Sequence, residues 1–381
     1  MALRERTIVE QRLSAMELLE SGVGVTEIAA RLGVSRQAIY DWKERYSIDG
    51  ESGLNDRSRR PHHSPTQTAE WVEWRLLDER KQWGFGSKKI LRRLQDDEPE
   101  IAWPPRSTVD AVFKRAGVVR ERRRSRRRFA RVAAPPTYQG EAAGEVMTVD
   151  FKGQFRLMNG QYCYPLTIAD PVSRYLLACD AFARISAEQT WLSLTRVFAE
   201  YGLPRLLHSD NGVPFGASCR SRFSTIAVRL MKYGVQPVYS RPGHPEDNGT
   251  HERMHRTLKE HTAIPPERTL EEQQVRFETF RRMFNEQRPH EGLGFDRPAK
   301  RHRLSPRPFP ALEPVIEYEP HFETRMVNKD GFISWKGRPV FVSEAFARER
   351  LGLEPIDYST WRVHYASFVI GSLDDHIKKF R

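Results

Sequence analysis

Between Lys114 and Arg131 the chain carries ten basic residues and one acid, in KRAGVVRERRRSRRRFAR, and AAPPTYQG follows. So many like charges repel one another too strongly to share a packed core, and the stretch 121–140 is expected to be a linker that divides the fold. Helical periodicity precedes it and strand patterning follows it, so no single secondary-structure class describes the whole. A length of 381 residues, against ~100–200 per domain, agrees with several units. The balance of 62 Lys plus Arg against 50 Asp plus Glu leaves a formal net charge of +12 and favours a polyanionic partner, nucleic acid first. Arg122, Arg123, Arg124, Arg126, Arg127 and Arg128 would neutralise phosphates without reading sequence. The alternative for that run is a nuclear-targeting or merely solvated segment.

Upstream, TEIAARLGVSRQAIYDWKERY (26–46) sets Ile28, Ala29, Leu32, Val34, Ile39 and Trp42 at helix-packing positions on either side of Gly33 and Ser35. Gly33 frees the backbone for a positive φ and Ser35 is a natural N-cap, which together predict helix, turn, helix. Arg36, Gln37, Tyr40 and Lys43 then lie near the start of the second helix, where they would face a major groove; an ordinary helical hairpin is the plainer reading. Residues 1–60 are thus expected to form a DNA-binding helix-turn-helix domain. After the Pro/Ser/Arg-rich NDRSRRPHHSP (55–65), helical periodicity resumes in AEWVEWRLLDERKQWG and GSKKILRRLQ, and Ser107 with Asp110 spells a capping box before VDAVFKRAG. A second helical DNA-binding domain is predicted over 61–120.

From Glu145 the pattern changes to strands: 146–151, 162–170 and 174–182, joined by short turns, then helix and strand in alternation up to 286. A three-strand meander followed by alternating elements implies an α/β core with a mixed sheet, at 141–295. A Pro-rich linker, 296–320, and a small β-barrel-like domain, 321–381, complete a multidomain chain. Cys163, Cys179 and Cys219, odd in number and without C-x-x-C spacing, are expected as small core residues. No apolar run reaches the ~18 residues of a membrane span, and the start lacks a signal peptide's apolar stretch, so a cytoplasmic protein with no membrane partner is expected.

Three acids sit where chemistry can use them. Asp150 ends the first core strand, Asp210 ends the fourth, and Glu252 lies early in the helix that begins near Asn248. Taken singly, each acid more often caps a helix or pairs with Arg. Neighbouring strand ends with one helix beside them can gather all three, and gathered carboxylates call for a divalent cation such as Mg²⁺, with Mn²⁺ as a substitute. Two such ions ~3.5–4 Å apart clamp the attacking and leaving oxygens of an in-line phosphoryl displacement.

The succession VDFKG, HSDNG, RPGHPEDNGTHERMHRTLK and FNEQRPHEGLGFDRPA resembles the bacterial insertion-sequence transposases with a retroviral-integrase-like catalytic core. The resemblance covers about 145–300. It implies a ribonuclease H-like fold, with Asp150, Asp210 and Glu252 on the family's catalytic metal triad. It also implies a divalent-metal polynucleotidyl transferase that binds terminal inverted repeats, cleaves transposon ends with activated water and joins the freed 3′ ends to target DNA. Because two ends are joined in one event, a homo-dimer or higher assembly on DNA is expected. Asn211, Arg253 and His255 match positions near that site, and Arg288, Pro289 and His290 match the downstream signature. Arg253, His255, Arg256 and Lys259 are expected to touch DNA. The 41 residues between Asp210 and Glu252 exceed the family's usual spacing, and counting alone would nominate Glu246; its place in the Pro/Gly turn GHPEDNG argues for Glu252 instead. No cysteine precedes position 163, so the zinc unit of retroviral integrases is not expected.

Residues 251–255, His-Glu-Arg-Met-His, also spell the zinc-protease motif, with His261 where a third ligand would fall. Leu258 stands where that longer motif needs Gly, and Arg253, Arg256 and Lys259 make the helix cationic. The histidine pair can instead face DNA phosphates. A third reading, a DNA-binding regulator with a decayed core, predicts a missing acid, and all three are present.

Overall fold

The computed structural model describes residues 8–56, 67–119, 140–217, 222–241, 249–375 and 379–380. Arg122, Arg123, Arg124, Arg126, Arg127, Arg128, Cys219 and Glu246 lie outside the described residues. Two compact units emerge, Met1–Ala69 and Glu70–Arg381.

The first unit holds three helices, α1 (Ile8–Glu20), α2 (Val25–Leu32) and α3 (Arg36–Asp49). Gly33 closes α2 at φ 66°, and the Ser35 hydroxyl accepts the Ala38 N–H at 3.2 Å to open α3, so the turn forms where the sequence placed it. Ala15, Met16, Ile28, Ala29, Ile39 and Leu54 make its core. Each large aliphatic buried there contributes ~1.5–3 kcal/mol.

The second unit opens with another three helices, α4 (Glu70–Trp83), α5 (Ser87–Asp97) and α6 (Arg106–Arg115), around Leu76, Ile90, Leu94, Val109 and Phe113. The expected capping box does not form. Pro105 occupies the N-cap with no side-chain cap, which places Ser107 and Asp110 inside the first turns of α6. Pro at a helix start, its lost N–H being needed by no one, overrides the hydroxyl signal.

A mixed sheet follows, built from β1 (Val146–Phe151), β2 (Phe155–Arg156), β3 (Tyr162–Ala169), β4 (Leu176–Phe182), β5 (Leu206–Ser209) and β6 (Gln236–Tyr239). β4, β3 and β1 form the antiparallel meander; β5 runs parallel to β1 and β6 parallel to β5, while β2 hooks onto the start of β3. Side chains alternate across the sheet. Met147, Val149, Leu166 and Ile168 face α7 (Ala187–Tyr201) and α8 (Thr225–Lys232). The other face packs Cys163, Leu176 and Cys179 against Met254 and Leu258 of α9 (Gly249–Thr262) and Phe277 and Phe280 of α10 (Leu270–Arg282). This is an integrase-like ribonuclease H fold. Cys163 and Cys179 are buried and unpaired, as small core residues.

The Pro-rich stretch lies across this core instead of standing away from it. After α11 (Pro298–Arg301), the Arg307 guanidinium donates to the carbonyls of Pro204, Tyr233 and Gly234 at 2.8–3.0 Å, and Phe309 stacks on Tyr233. Beyond it, β7 (Glu323–Met326), β10 (Arg350–Pro355), β11 (Thr360–Tyr365), β12 (Phe368–Asp374) and β13 (Lys379–Phe380) form a curled antiparallel sheet with a bulge at Val363/His364. The separate hairpin β8 (Phe332–Trp335) and β9 (Arg338–Phe341) touches both of its ends, enclosing Trp335, Phe346 and Tyr365. Val228 and Met231 of α8 belong to the same core.

Candidate functional site

Strand alternation puts Thr148, Asp150 and Thr167 on the sheet face that α9 covers, opposite the apolar Met147 and Val149. α9 returns a buried stripe of His251, Met254, His255 and Leu258 to that face and leaves Glu252, Arg253, Arg256 and Lys259 exposed. The His251 ring sits between two hydroxyls, Nδ1 at 3.0 Å from Thr148 Oγ1 and Nε2 at 2.6 Å from Thr167 Oγ1. Thr167 Oγ1 also meets His255 Nε2 at 2.7 Å and donates to the Asp150 carbonyl at 3.1 Å. His255 Nδ1 then lies 3.7 Å from Asp150 Oδ2. Burial drives both imidazoles toward the neutral form, His255 down to about 3.

Asp150 is the perturbed carboxyl of the site. Burial, then the charge of Asp210, and more weakly that of Glu252, push it up to about 7 against the opposing pull of Lys152. Asp210 is exposed just beyond β5, its Oδ1 accepting the Gly212 N–H at 3.1 Å. Asn211 ties that turn to the end of β6 through a 2.7 Å bond to the Ser240 carbonyl. Glu252 lies exposed in the first turn of α9, where the helix dipole favours a negative charge. Among the described residues no three His, Cys, Asp or Glu side chains are gathered tightly enough to hold an ion.

The histidine pair does not face outward, as phosphate contact requires; His251 and His255 are 2% and 5% exposed. Both His251 nitrogens lie against threonine hydroxyls inside the core, so the ring does not face an open metal position as a zinc ligand would. Thr148 and Thr167 escaped the sequence reading, although a hydroxyl inside the apolar run YCYPLTIA was a signal available there. In the first unit Arg36, Gln37, Tyr40 and Lys43 line one exposed side of α3, while Ile39 turns into the core.

Residues 140–245 and 233–298 match the family described as integrase core domain, 11–62 match a helix-turn-helix domain, and 322–380 match the C-terminal domain of IS481 family transposases. The chain has the make-up of an insertion-sequence transposase with an integrase-like core. Among solved structures, the transposase is similar to the catalytic core domain of HTLV-2 integrase in complex with magnesium: 12% identity, TM-score 0.34, covering 43% of this chain and all of that one. A simian T-cell lymphotropic virus intasome in complex with PP2A regulatory subunit B56 gamma matches at 12% identity and TM-score 0.39, over 77% of this chain and 97% of that one. The catalytic core domain of BIV integrase matches at 20% and 0.31, over 41% and 92%. These likenesses are distant, and the assignment rests on the family matches. No helix among the described residues is long and apolar enough to cross a membrane.

Proposed function

We propose that this transposase binds transposon-end DNA, cuts it by divalent-metal phosphoryl transfer and joins the freed 3′ ends to target DNA as a dimer or larger assembly. Asp150, Asp210 and Glu252 are its catalytic carboxylates and metal ligands. The observation that supports this reading most directly is the largely buried Asp150 at the end of β1, its carboxyl raised by burial first, then by the charge of Asp210 and more weakly by that of Glu252. An all-oxygen donor set under mutual repulsion suits hard cations such as Mg²⁺ or Mn²⁺. When bound, two such ions supply Lewis-acid stabilisation and an activated nucleophile.

The chain's own residues do the rest. Thr167 and His255 hold the Asp150 end of β1 in place, Asn211 holds the Asp210 turn, and the buried stripe of α9 fixes the direction in which Glu252 points. Water adds to the phosphorus at the transposon end and a 3′-oxygen leaves. That 3′-hydroxyl then displaces a 3′-oxygen of the target, exchanging one phosphodiester for another with no external energy source. Arg253, Arg256 and Lys259 face the strand from α9, the exposed side of α3 reads end sequence, and the basic run adds affinity regardless of sequence.

Asp150→Asn, Asp210→Asn or Glu252→Gln should each abolish end cleavage, a loss on the order of 10³-fold, while end binding persists. A gel assay of labelled end duplex with Mg²⁺, with Mn²⁺ and with Zn²⁺ alone measures it. Cleavage that survives Glu252→Gln, or disappears in Glu246→Gln instead, would overturn the triad.

A further inference from the structure

Beside the Asp150 network, whose Thr148 and His251 also line it, a cavity of about 230 Å³ opens between α9, the turn joining β3 to β4, the N-terminal part of α5 and the loop after α10. It is smaller than the ~300–1,000 Å³ of a drug-sized ligand site. Its walls are cationic. Lys89 comes from α5, Arg174 from the β3–β4 turn, Arg253 from α9, and Arg288 and His290 from the loop. Two acids line it as well, and each has other partners. Asp170 is taken by Ser173 and the Gly144 and Val172 N–H groups, and Glu291, largely exposed, lies 3.8 Å from Lys88.

Lys89 and Arg288 are the informative pair. Both lie within 6.0 Å of the centre of the Phe85 ring, at 6.0 and 5.4 Å, and neither forms an ion pair among the described residues. Arg288's polar contact is a marginal one, 3.5 Å to the Thr257 hydroxyl. Two half-buried cations share one aromatic ring, with no ion pair of their own among the described residues and only the more distant charges of Glu291 on Lys89 and Glu260 on Arg288, an arrangement that an anion would stabilise. Arg174 bonds the Thr250 hydroxyl and so reaches α9 two residues before Glu252. Burial and the neighbouring Arg288 already lower the Lys89 ammonium to about 8, and burial with Arg288, Lys89 and Arg174 keeps the His290 ring neutral, at about 3. His290 Nε2 has no hydrogen-bond partner among the described residues.

We infer that this cavity grips a backbone phosphate of the DNA strand that passes the start of α9, with Arg288 and Lys89 as its cations and Arg174 tying the grip to the helix that carries Glu252. The inference rests on the reading of this chain as a DNA-end-processing enzyme. Thr250 and Arg253, two of the five cavity-lining residues on α9, flank Glu252 on either side, so a strand held here is delivered to the carboxylates. Lys89 belongs to the second helical group, which makes that group a wall of the site.

The test uses the full chain. Arg288→Gln with Lys89→Gln should weaken binding of end duplex about tenfold and make the plot of log affinity against log salt shallower by about 0.9 for each phosphate no longer neutralised. Arg288→Lys, which keeps the charge and the packing over Phe85, should recover part of the affinity. A second measurement needs no variant: in the wild-type protein, end duplex should protect Lys89 from acylation, read by mass spectrometry. A single neutral methylphosphonate near the cleaved bond should abolish that protection. Unchanged affinity and salt slope in the double variant, or Lys89 acylated equally with and without duplex, would overturn the proposal. Protection by inorganic phosphate but not by duplex would overturn it too, by assigning the cavity to a free phosphate. Failure of the wider reading looks different: wild-type protein would then cut no end DNA, whereas a wrong cavity leaves cutting intact and still dependent on Asp150.

Discussion

Two three-helix groups open this chain, similar in length, yet their helices are put to different uses. In the first, α3 buries Ile39 and leaves Arg36, Gln37, Tyr40 and Lys43 bare to solvent. In the second, the corresponding charged helix is locked. Arg93 of α5 reaches the buried Glu79 at 2.8 Å and also Gln287; Arg92 pairs with Asp296 at 3.1 Å, Asp96 with Lys300 at 2.8 Å, and Asp97 with Arg297. α5, whose charges apart from Lys89 are met within its own protein, is a wall, whereas α3, whose Arg36 and Lys43 form no ion pair among the described residues, is free to meet a polyanion. Three helices of similar length therefore predict different roles only once the partners are known.

The largest effect that follows concerns the lock. Glu79, 2% exposed, accepts from both Arg75 and Arg93, and Glu79→Ala would take a buried carboxylate from two guanidinium groups at once. Removing one member of a buried charge cluster costs ~3–5 kcal/mol. Arg75 keeps Glu98 and a quarter of its surface in water, so a drop of about 3 kcal/mol is expected in urea unfolding. A drop below about 1 kcal/mol would show that α5 is held by its apolar face alone, and the two groups would then differ less than their ion pairs suggest.

That contrast explains what was legible in the sequence. Strands and helices of the core followed from alternation and from short apolar runs, and the helix-turn-helix from Gly33 and Ser35, because these signals are local. The capping box at Ser107 failed because Pro105, two residues away, set the helix start. The cationic helix around the i, i+4 histidine pair suggests that the pair faces DNA, whereas its spacing with Met254 and Leu258 marks one buried stripe, and that periodicity decides. The proline content of 296–320 excluded helix and strand but said nothing about packing, which Arg307 and Phe309 provide. The cavity was out of reach, since Lys89 and Arg288 meet only through folding across nearly 200 positions. The three acids of the triad could be nominated from motif order; the Thr167 and His255 contacts to Asp150 could not.

The next effect belongs to α3. Arg36→Ala with Gln37→Ala should reduce discrimination between end DNA and random duplex by ~1–3 kcal/mol for each base-reading side chain removed, and leave thermal stability unchanged because both side chains are exposed. Competition binding at fixed salt measures the first and a melting curve the second. Equal weakening on both duplexes would make these phosphate contacts and move the reading surface elsewhere on α3. A parallel pair of changes on α5, Arg92→Ala with Lys88→Ala, should leave discrimination where it is.

The smallest expected effect gives the cleanest control, because it keeps the chemistry of the lock and removes only the burial. Arg31 of α2 meets Glu27 at 2.5 Å with the same i, i+4 spacing that joins Arg75 to Glu79, but here both side chains are 56% exposed. In water the attraction is screened and the pair must surrender rotamer freedom to form, so exposed pairs of this spacing contribute about 0.3–0.5 kcal/mol. Glu27→Ala also places the best helix former inside α2, which offsets part of that. The carboxylate's favourable position in the first turn works the other way, at ~0.3–1 kcal/mol in low salt. The net destabilisation in urea unfolding should therefore stay under about 1 kcal/mol and shrink as salt is added. A Glu27→Ala effect matching that of Glu79→Ala would mean that burial is not what separates the two groups, and that the free and the locked helix share one kind of ion pair.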